Sequence, residues 1–254
     1  MRVCVVVPHY DHVEQFGHFL PHLAAQGLDL VIVDDGSPEA VFEELECLVE
    51  RYAPGAMLLR HAHNQGKGGA VMTSLEAAFA AGYSHALQID ADGQHDAGAI
   101  DRFVTTAREF PGDLICGKPM FDESISGLRY YSRYITLYLC WLQALSTEIR
   151  DALCGLRLYP LAAVVPLIKR RRLGKRMAFD PEILVRCCWA GIRLRYLPVN
   201  VQYPESGRSH FHYVGDNLEL AWMHVRLVIG MLLRLPVLVT RRLKQVLARD
   251  GGAQ

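Results

Sequence analysis

Residues 84–94 read Ser84-His85-Ala86-Leu87-Gln88-Ile89-Asp90-Ala91-Asp92-Gly93-Gln94. The change of character within this stretch decides the fold class. Ser84–Asp90 is a short apolar run that ends abruptly on carboxylates, as a strand covered on both faces does. Residues i and i+2 at a strand end point to the same side, so Asp90 and Asp92 present paired carboxylates. Working outward, Arg2–Pro8 and Leu28–Asp34 are apolar runs of the same kind, and Ala56–Arg60 and Asp113–Gly117 read as further strands.

Helical stretches separate these strands. Ser37 followed by Pro38 has the pattern of an N-cap with proline at the first helical position, which predicts a helix to about Tyr52. Gly66–Ala81 is rich in alanine and stops at Gly82. This alternation predicts an α/β fold with a doubly wound, mostly parallel sheet flanked by helices. The second half is less regular: an aromatic-rich helix over Gly127–Ser146, another over Asp180–Ala190, and an alternating strand over Ile192–Tyr203 with a phase slip near Pro198.

The chain has 254 residues, enough for one large core. Its seven cysteines contain no Cys-x-x-Cys pair, which argues against a disulfide framework or zinc finger and predicts a reducing, cytoplasmic setting. The apolar start is too short for a secretory signal. A net charge of zero conceals a division. Residues 1–164 hold 11 basic against 21 acidic side chains, and residues 165–254 hold 16 against 6. A basic end suits an anionic surface, or simply a solvated face.

Asn217–Thr240 is the most apolar long segment, yet its longest run without charge is Leu227–Leu233. A crossing helix needs ~20 mainly apolar residues, so the expectation is an amphipathic helix that does not cross. Leu218, Trp222, Val225, Ile229 and Leu232 share one face, and Arg241, Arg242, Lys244 and Arg249 follow. Such a helix suits either a bilayer interface or a protein core. The expected division is a catalytic domain over residues 1–212 and an amphipathic basic helix over 213–254.

Ligands of open α/β sheets bind beyond the carboxyl ends of the strands. Three polar clusters stand there: Pro8-His9-Tyr10-Asp11, Asp34-Asp35-Gly36-Ser37 and Asp90–Gln94. Paired carboxylates suit Mg²⁺ or Mn²⁺, which also take diphosphate oxygens, and Gln94 could add a carbonyl oxygen. Asn64-Gln65-Gly66-Lys67-Gly68-Gly69 opens a helix whose backbone NH groups could hold phosphate. It is neither a Walker loop nor a dinucleotide fingerprint. Histidine pairs such as His9/His12, His18/His22, His61/His63 and His210/His212 lack a third ligand, so zinc is not expected. The basic run Lys169–Arg172 with Lys175-Arg176 has no interleaved aromatics, so nucleic acid is not expected as a partner.

In this order and spacing, Val5-Val6-Val7-Pro8-His9-Tyr10, Val33–Ser37, Asn64-x-Gly66-Lys67-Gly68 and Asp90–His95 resemble glycosyltransferase family 2, and most of all the dolichol- and polyprenyl-phosphate sugar synthases. The resemblance continues through Arg129-x-x-Ser132-Arg133, Asp151-x-x-Cys154–Tyr159, Phe179-Asp180-x-Glu182 and Gly207–Phe211. It implies a GT-A-type, Rossmann-like fold. It also implies a divalent cation on Asp90, Asp92 and Gln94, and a UDP- or GDP-sugar donor held by Pro8, Tyr10, Asp34 and Asp35. Phosphate would be gripped by Arg129, Ser132 and Arg133, with Lys67, Lys118, Arg157 and Arg208 as further candidates. Where that family usually carries Asn-Glu after the first-strand tyrosine, this chain has Asp11-His12.

The implied reaction is an inverting displacement at the anomeric carbon, at the cytoplasmic membrane face. A lipid-phosphate acceptor needs no general base. A hydroxyl acceptor does, and Asp180 and Glu182 are then the catalytic candidates, with Asp151 behind them. Two other readings compete. One is a nucleotidyltransferase, although the usual Gly-rich basic loop after the first strand is absent. The other is a non-catalytic nucleotide-sugar sensor, which the intact Asp90/Asp92 pair disfavours.

Overall fold

The computed structural model describes residues 1–94, 97–120, 127–170, 173–200 and 213–250. Strands β1 (Val3–His9), β2 (Asp29–Asp34), β3 (Met57–Arg60), β4 (His85–Gln88), β5 (Leu114–Met120), β6 (Arg157–Pro160) and β7 (Leu194–Asn200) form one sheet in the order β3-β2-β1-β4-β6-β5-β7. All neighbours run parallel except around β6, which lies antiparallel between β4 and β5. Helices α1 (Val13–Ala24), α2 (Glu39–Tyr52), α3 (Lys67–Ala80), α4 (Ile100–Glu109), α5 (Gly127–Ala144), α6 (Leu161–Arg170), α7 (Phe179–Ala190) and α8 (Tyr213–Asp250) complete the described residues, with a short 3₁₀ turn before α4.

The continuous apolar run of β1 has a direct cause. Val3, Val5 and Val7 enter one core with Phe16, Leu20, Ile32 and Phe103, while Cys4 and Val6 enter a second with Val71, Leu75, Leu137 and Ile183. A strand between two cores has no polar face. Strand order reverses at β1, which has β2 on one side and β4 on the other, and the crevice beyond such a switch point is where open sheets bind ligands.

One expectation needs correction, and one strand is unexpected. Ser37 does not cap α2; the helix begins at Glu39 with no side-chain cap, and the Ser37 hydroxyl donates to Asp34 and accepts from the Asp11 amide. Strand β6 has no signal in the sequence, because four residues carrying a buried arginine have no readable period. All seven cysteines are free, and burial pushes the thiols of Cys4, Cys116, Cys140 and Cys154 up to about 12, which leaves them unreactive.

Helix α8 has two distinct faces. Met223, Leu227, Met231 and Leu238 are buried in the core shared with α5 and α7. Leu218, Trp222, Val225, Ile229, Leu232 and Leu233 are exposed on the opposite side. By length and composition, Gly215–Arg241 is apolar enough to cross a bilayer, a longer stretch than the uncharged run alone suggests. The inner face nevertheless packs on protein, and Arg226 and Arg241 bond Glu182 and the carbonyl of Trp189. Helix α5 adds Ile135, Tyr138 and Leu142 as a second exposed apolar stripe.

Candidate active site

The tips of β1 and β2 are built around the two aspartates of the Asp34-Asp35 pair. Asp34 is fully buried: its carboxylate accepts from the Ser37 amide at 3.0 Å and lies 3.0 Å from His9 Nδ1. Burial alone would push the Asp34 carboxyl up, but the bonds from His9 and Ser37 outweigh that and hold it below the ordinary 3.8. The unfolded chain therefore takes up this proton first. The stability from Asp34 is complete above the ordinary carboxylate range and disappears as pH falls through the folded value. Asp34→Asn is expected to lower the melting temperature at neutral pH and to flatten its decline between about pH 5 and about pH 3, as read by circular dichroism.

Asp35 organises the next loop. It receives the backbone amides of Gln65 and Gly66 at 2.9 and 2.7 Å and lies 2.7 Å from His61 Nδ1. The His61 Nε2 atom reaches Thr73 Oγ1. Gly66 has φ +93°, and a Cβ there would sit 2.6 Å from the Lys175 carbonyl, so only glycine fits. The Gly69 amide donates to that same carbonyl. Three amides at the start of α3, those of Gln65, Gly66 and Gly69, thus have protein partners and do not face phosphate. His9 and His61 are likewise committed to aspartates. Among the described residues, no three His, Cys, Asp or Glu side chains gather as a metal cage.

The start of α3 instead delivers Lys67. Its Nζ lies 2.8 Å from Asp90 Oδ2 and 3.5 Å from Asp180 Oδ2. Asp180, at the start of α7, is also 3.3 Å from the buried Arg157 guanidinium of β6, which donates to the carbonyls of Asp180 and Ala152. Burial opposes the Lys67 charge, but Asp180 and Asp90 outweigh it and raise its pKa. Gly155 closes the cluster; a Cβ there would stand 2.6 Å from Asp90 Oδ2 and 2.9 Å from Lys67 Nζ. Asp92 is half-buried, accepts from the Gln94 amide at 3.0 Å, and is pushed up to about 6 by burial and by the charge of Asp90.

Other expected residues lie around this centre. Pro8 is buried and Tyr10 half-buried at the β1 tip. Arg133 binds Asp151 through two nitrogens, one at 2.8 Å, and Asp151 also accepts the amides of Leu153 and Cys154. Arg129 and Ser132 belong to the first turns of α5, whose side chains are described from Arg133 onward. Arg208, His95 and His210 lie outside the described residues. Lys118 is exposed on β5.

Glu182 has an unexpected place. It is completely buried and accepts from Arg186, from Arg226 at 3.1 Å and from the Gly174 amide at 2.8 Å. It ties α7 to α8 and to the loop over the α3 start, and this commitment is at odds with taking a proton from an incoming hydroxyl. Asp180, not Glu182, is the partner of Arg157. Sequence reasoning missed Gly155, which depends on β6 lying beside β4, and the Lys67–Asp180 contact, which depends on the start of α7 packing against the start of α3.

The chain is similar to several known proteins. It is 24% identical over 221 residues to an undecaprenyl-phosphate mannosyltransferase of Micrococcus luteus, covering 82% of this chain and 87% of the relative. It is 22% identical over 246 residues to a UDP-N-acetylglucosamine–dolichyl-phosphate N-acetylglucosaminyltransferase of Methanococcus voltae, covering 91% and 98%. A solved structure of glucosyl-3-phosphoglycerate synthase from Mycobacterium tuberculosis, in complex with Mn²⁺, UDP and phosphoglyceric acid, shares the fold. Its TM-score is 0.65 at 13% identity, covering 91% of this chain and 78% of that one. Residues 4–172, the larger part of the chain, match the glycosyl transferase family 2 description, and the chain belongs to that family of glycosyltransferases.

Proposed function

We propose that this glycosyltransferase moves a sugar from a UDP- or GDP-sugar to a polyprenyl phosphate at a bilayer surface, with inversion at the anomeric carbon. The observation that carries the donor half is the Asp90/Asp92 pair beyond β4. The two carboxylates repel each other, which helps to hold the Asp92 carboxyl near 6. Mutually repelling hard oxygens with Gln94 alongside fit Mg²⁺ or Mn²⁺, which need only one or two protein carboxylates when substrate phosphates supply the rest. When bound, such a cation neutralises charge developing on the departing diphosphate.

The chain's own residues divide the remaining work. Tyr10 and Pro8 line the nucleotide end, and Asp34 and Asp35 hold the walls of that pocket by fixing the β1 tip and the α3 start. Arg129, Ser132 and Arg208 grip phosphate, guanidinium forks matching phosphate geometry, and Arg133, whose fork holds Asp151, joins them only by exchanging that partner. A phosphate acceptor is already an anion at neutral pH and needs no proton removed. The partners of the carboxylates support this reading: Asp180 faces Lys67 and Arg157, Asp151 faces Arg133, and Glu182 faces Arg186 and Arg226. Each carboxylate is thus engaged by a cation of the protein rather than open to an incoming hydroxyl.

The apolar stripes of α5 and α8 support a lipid acceptor and a peripheral position on the inner face of the membrane. Helix α8 lies along the bilayer plane in this reading, since its other face is occupied by protein.

The test is transfer of labelled sugar from a panel of UDP- and GDP-sugars to undecaprenyl or dolichyl phosphate in vesicles, with Mn²⁺ or with EDTA. A labelled lipid and free nucleoside diphosphate are expected, and both vanish with EDTA. Release of pyrophosphate, or metal-independent transfer, would overturn the proposal. Asp180→Asn is expected to keep turnover within about tenfold of the parent, because no base is being removed; a loss of several orders of magnitude with unchanged donor binding would favour a hydroxyl acceptor. Gly155→Ala is expected to melt cooperatively but lose about 10²-fold in turnover, since its methyl group displaces Asp90 and Lys67.

A further inference from the structure

Two cations hold the carboxylates at the centre of the site, and they differ in kind. Arg157 is buried and fixed by two backbone carbonyls. Lys67 is on a flexible four-carbon stem with 24% of its side chain exposed. The root of that stem is immobile. Asp35 holds the amides of Gln65 and Gly66, the Lys175 carbonyl holds Gly69, and Gly66 lies tight against Lys175 and Arg176. A rigid base with a free-turning stem can swap partners without moving the backbone. The ammonium bonds Asp90 Oδ2 at 2.8 Å, on the carboxylate that the proposed cation would bind.

We propose that Lys67 is a built-in surrogate cation: it holds Asp90 while the site lacks a metal, cedes that carboxylate to the divalent ion, and turns its ammonium to the donor diphosphate. This rests on the reading of Asp90 and Asp92 as metal-binding residues and adds a thermodynamic consequence. An ion arriving alone must displace Lys67 from Asp90 and leave it with Asp180 at 3.5 Å, with no second anion to replace the one it lost. An ion arriving with a diphosphate brings that anion. Metal and nucleotide therefore bind with positive coupling, and by linkage each strengthens the other by the same factor.

The measurement is a Mn²⁺ titration followed by the electron paramagnetic resonance of the free ion, with no acceptor and no turnover. In the parent protein, saturating UDP or GDP is expected to tighten Mn²⁺ binding by about tenfold or more, the usual range of such couplings. Lys67→Met is expected to bind Mn²⁺ alone about tenfold more tightly and to lose most of that coupling. Lys67→Arg keeps the charge and the parent's weak lone-ion binding. Lys175→Met removes the same unit of charge from an exposed side chain that bonds Gln65 rather than Asp90, and should leave lone-ion affinity within about twofold. Lys67→Gln serves for comparison if the methionine variant lacks a cooperative melt. Unchanged or weaker lone-ion binding in the folded Lys67 variants would overturn the surrogate role, as would an equal gain in Lys175→Met. Mn²⁺ binding that survives Asp90→Asn with Asp92→Asn overturns instead the metal site on which the role depends.

Discussion

Asp90→Ala is expected to cut sugar transfer by about 10³-fold or more while the chain keeps a cooperative melt. The reasoning rests on where Asp90 sits. It is half-buried beyond the end of β4, outside both hydrophobic cores, and its described contacts are with the site itself. Its loss leaves Lys67 with Asp180, so no buried charge is stranded. The catalytic cost is different in scale. A cation opposite a developing diphosphate contributes several kcal/mol, and each ~1.4 kcal/mol is a factor of ten in rate. The checking measurement is single-turnover transfer at saturating donor, paired with a melting curve. Activity within tenfold of the parent would sink the metal-site reading.

Glu182→Ala has the largest expected effect on stability. The side chain is fully buried, and its loss strands Arg186 and Arg226 along with the Gly174 amide. Removing one partner of a buried ion pair costs about 3–5 kcal/mol. Arg226 is more than a quarter exposed and recovers some hydration, so the lower figure applies. At roughly 2–4 °C per kcal/mol for a chain of this size, the melting temperature should fall by about 6–12 °C. Glu182→Gln keeps the shape but not the charge, and should recover only part of that loss. A melt within about 2 °C of the parent would show that α8 is not tied to the core through this residue.

The sheet is legible in the sequence where strands are covered on both faces, since β1 and β2 announce themselves as apolar runs and β4 as a nearly continuous one that ends on carboxylates. The same property puts their polar ends on one edge, so Asp34, Asp90 and Asp92 stand out from the order of residues alone. What cannot be read there depends on contacts distant along the chain. Strand β6 carries Arg157 into the core, and nothing local reveals that its partner is Asp180 and not Glu182. Ser37 followed by Pro38 has a helix-start pattern, yet the hydroxyl is drawn to Asp34 because a buried carboxylate is the stronger claimant. The pattern of α8 suits a membrane and a core equally well. The helix buries one apolar face and leaves another exposed, and only the placement of α5 and α7 divides them.

The clasp of Glu182 on Arg226, with Glu219 receiving the Lys175 amide, means that α8 cannot roll about its own axis. A freely rolling anchor would let the catalytic head face any direction. If the chain works at a bilayer as proposed, the outward stripe locked in this way would act as a keel: once settled into a surface it would fix the heading of the cleft and leave a long-chain acceptor one angle of approach.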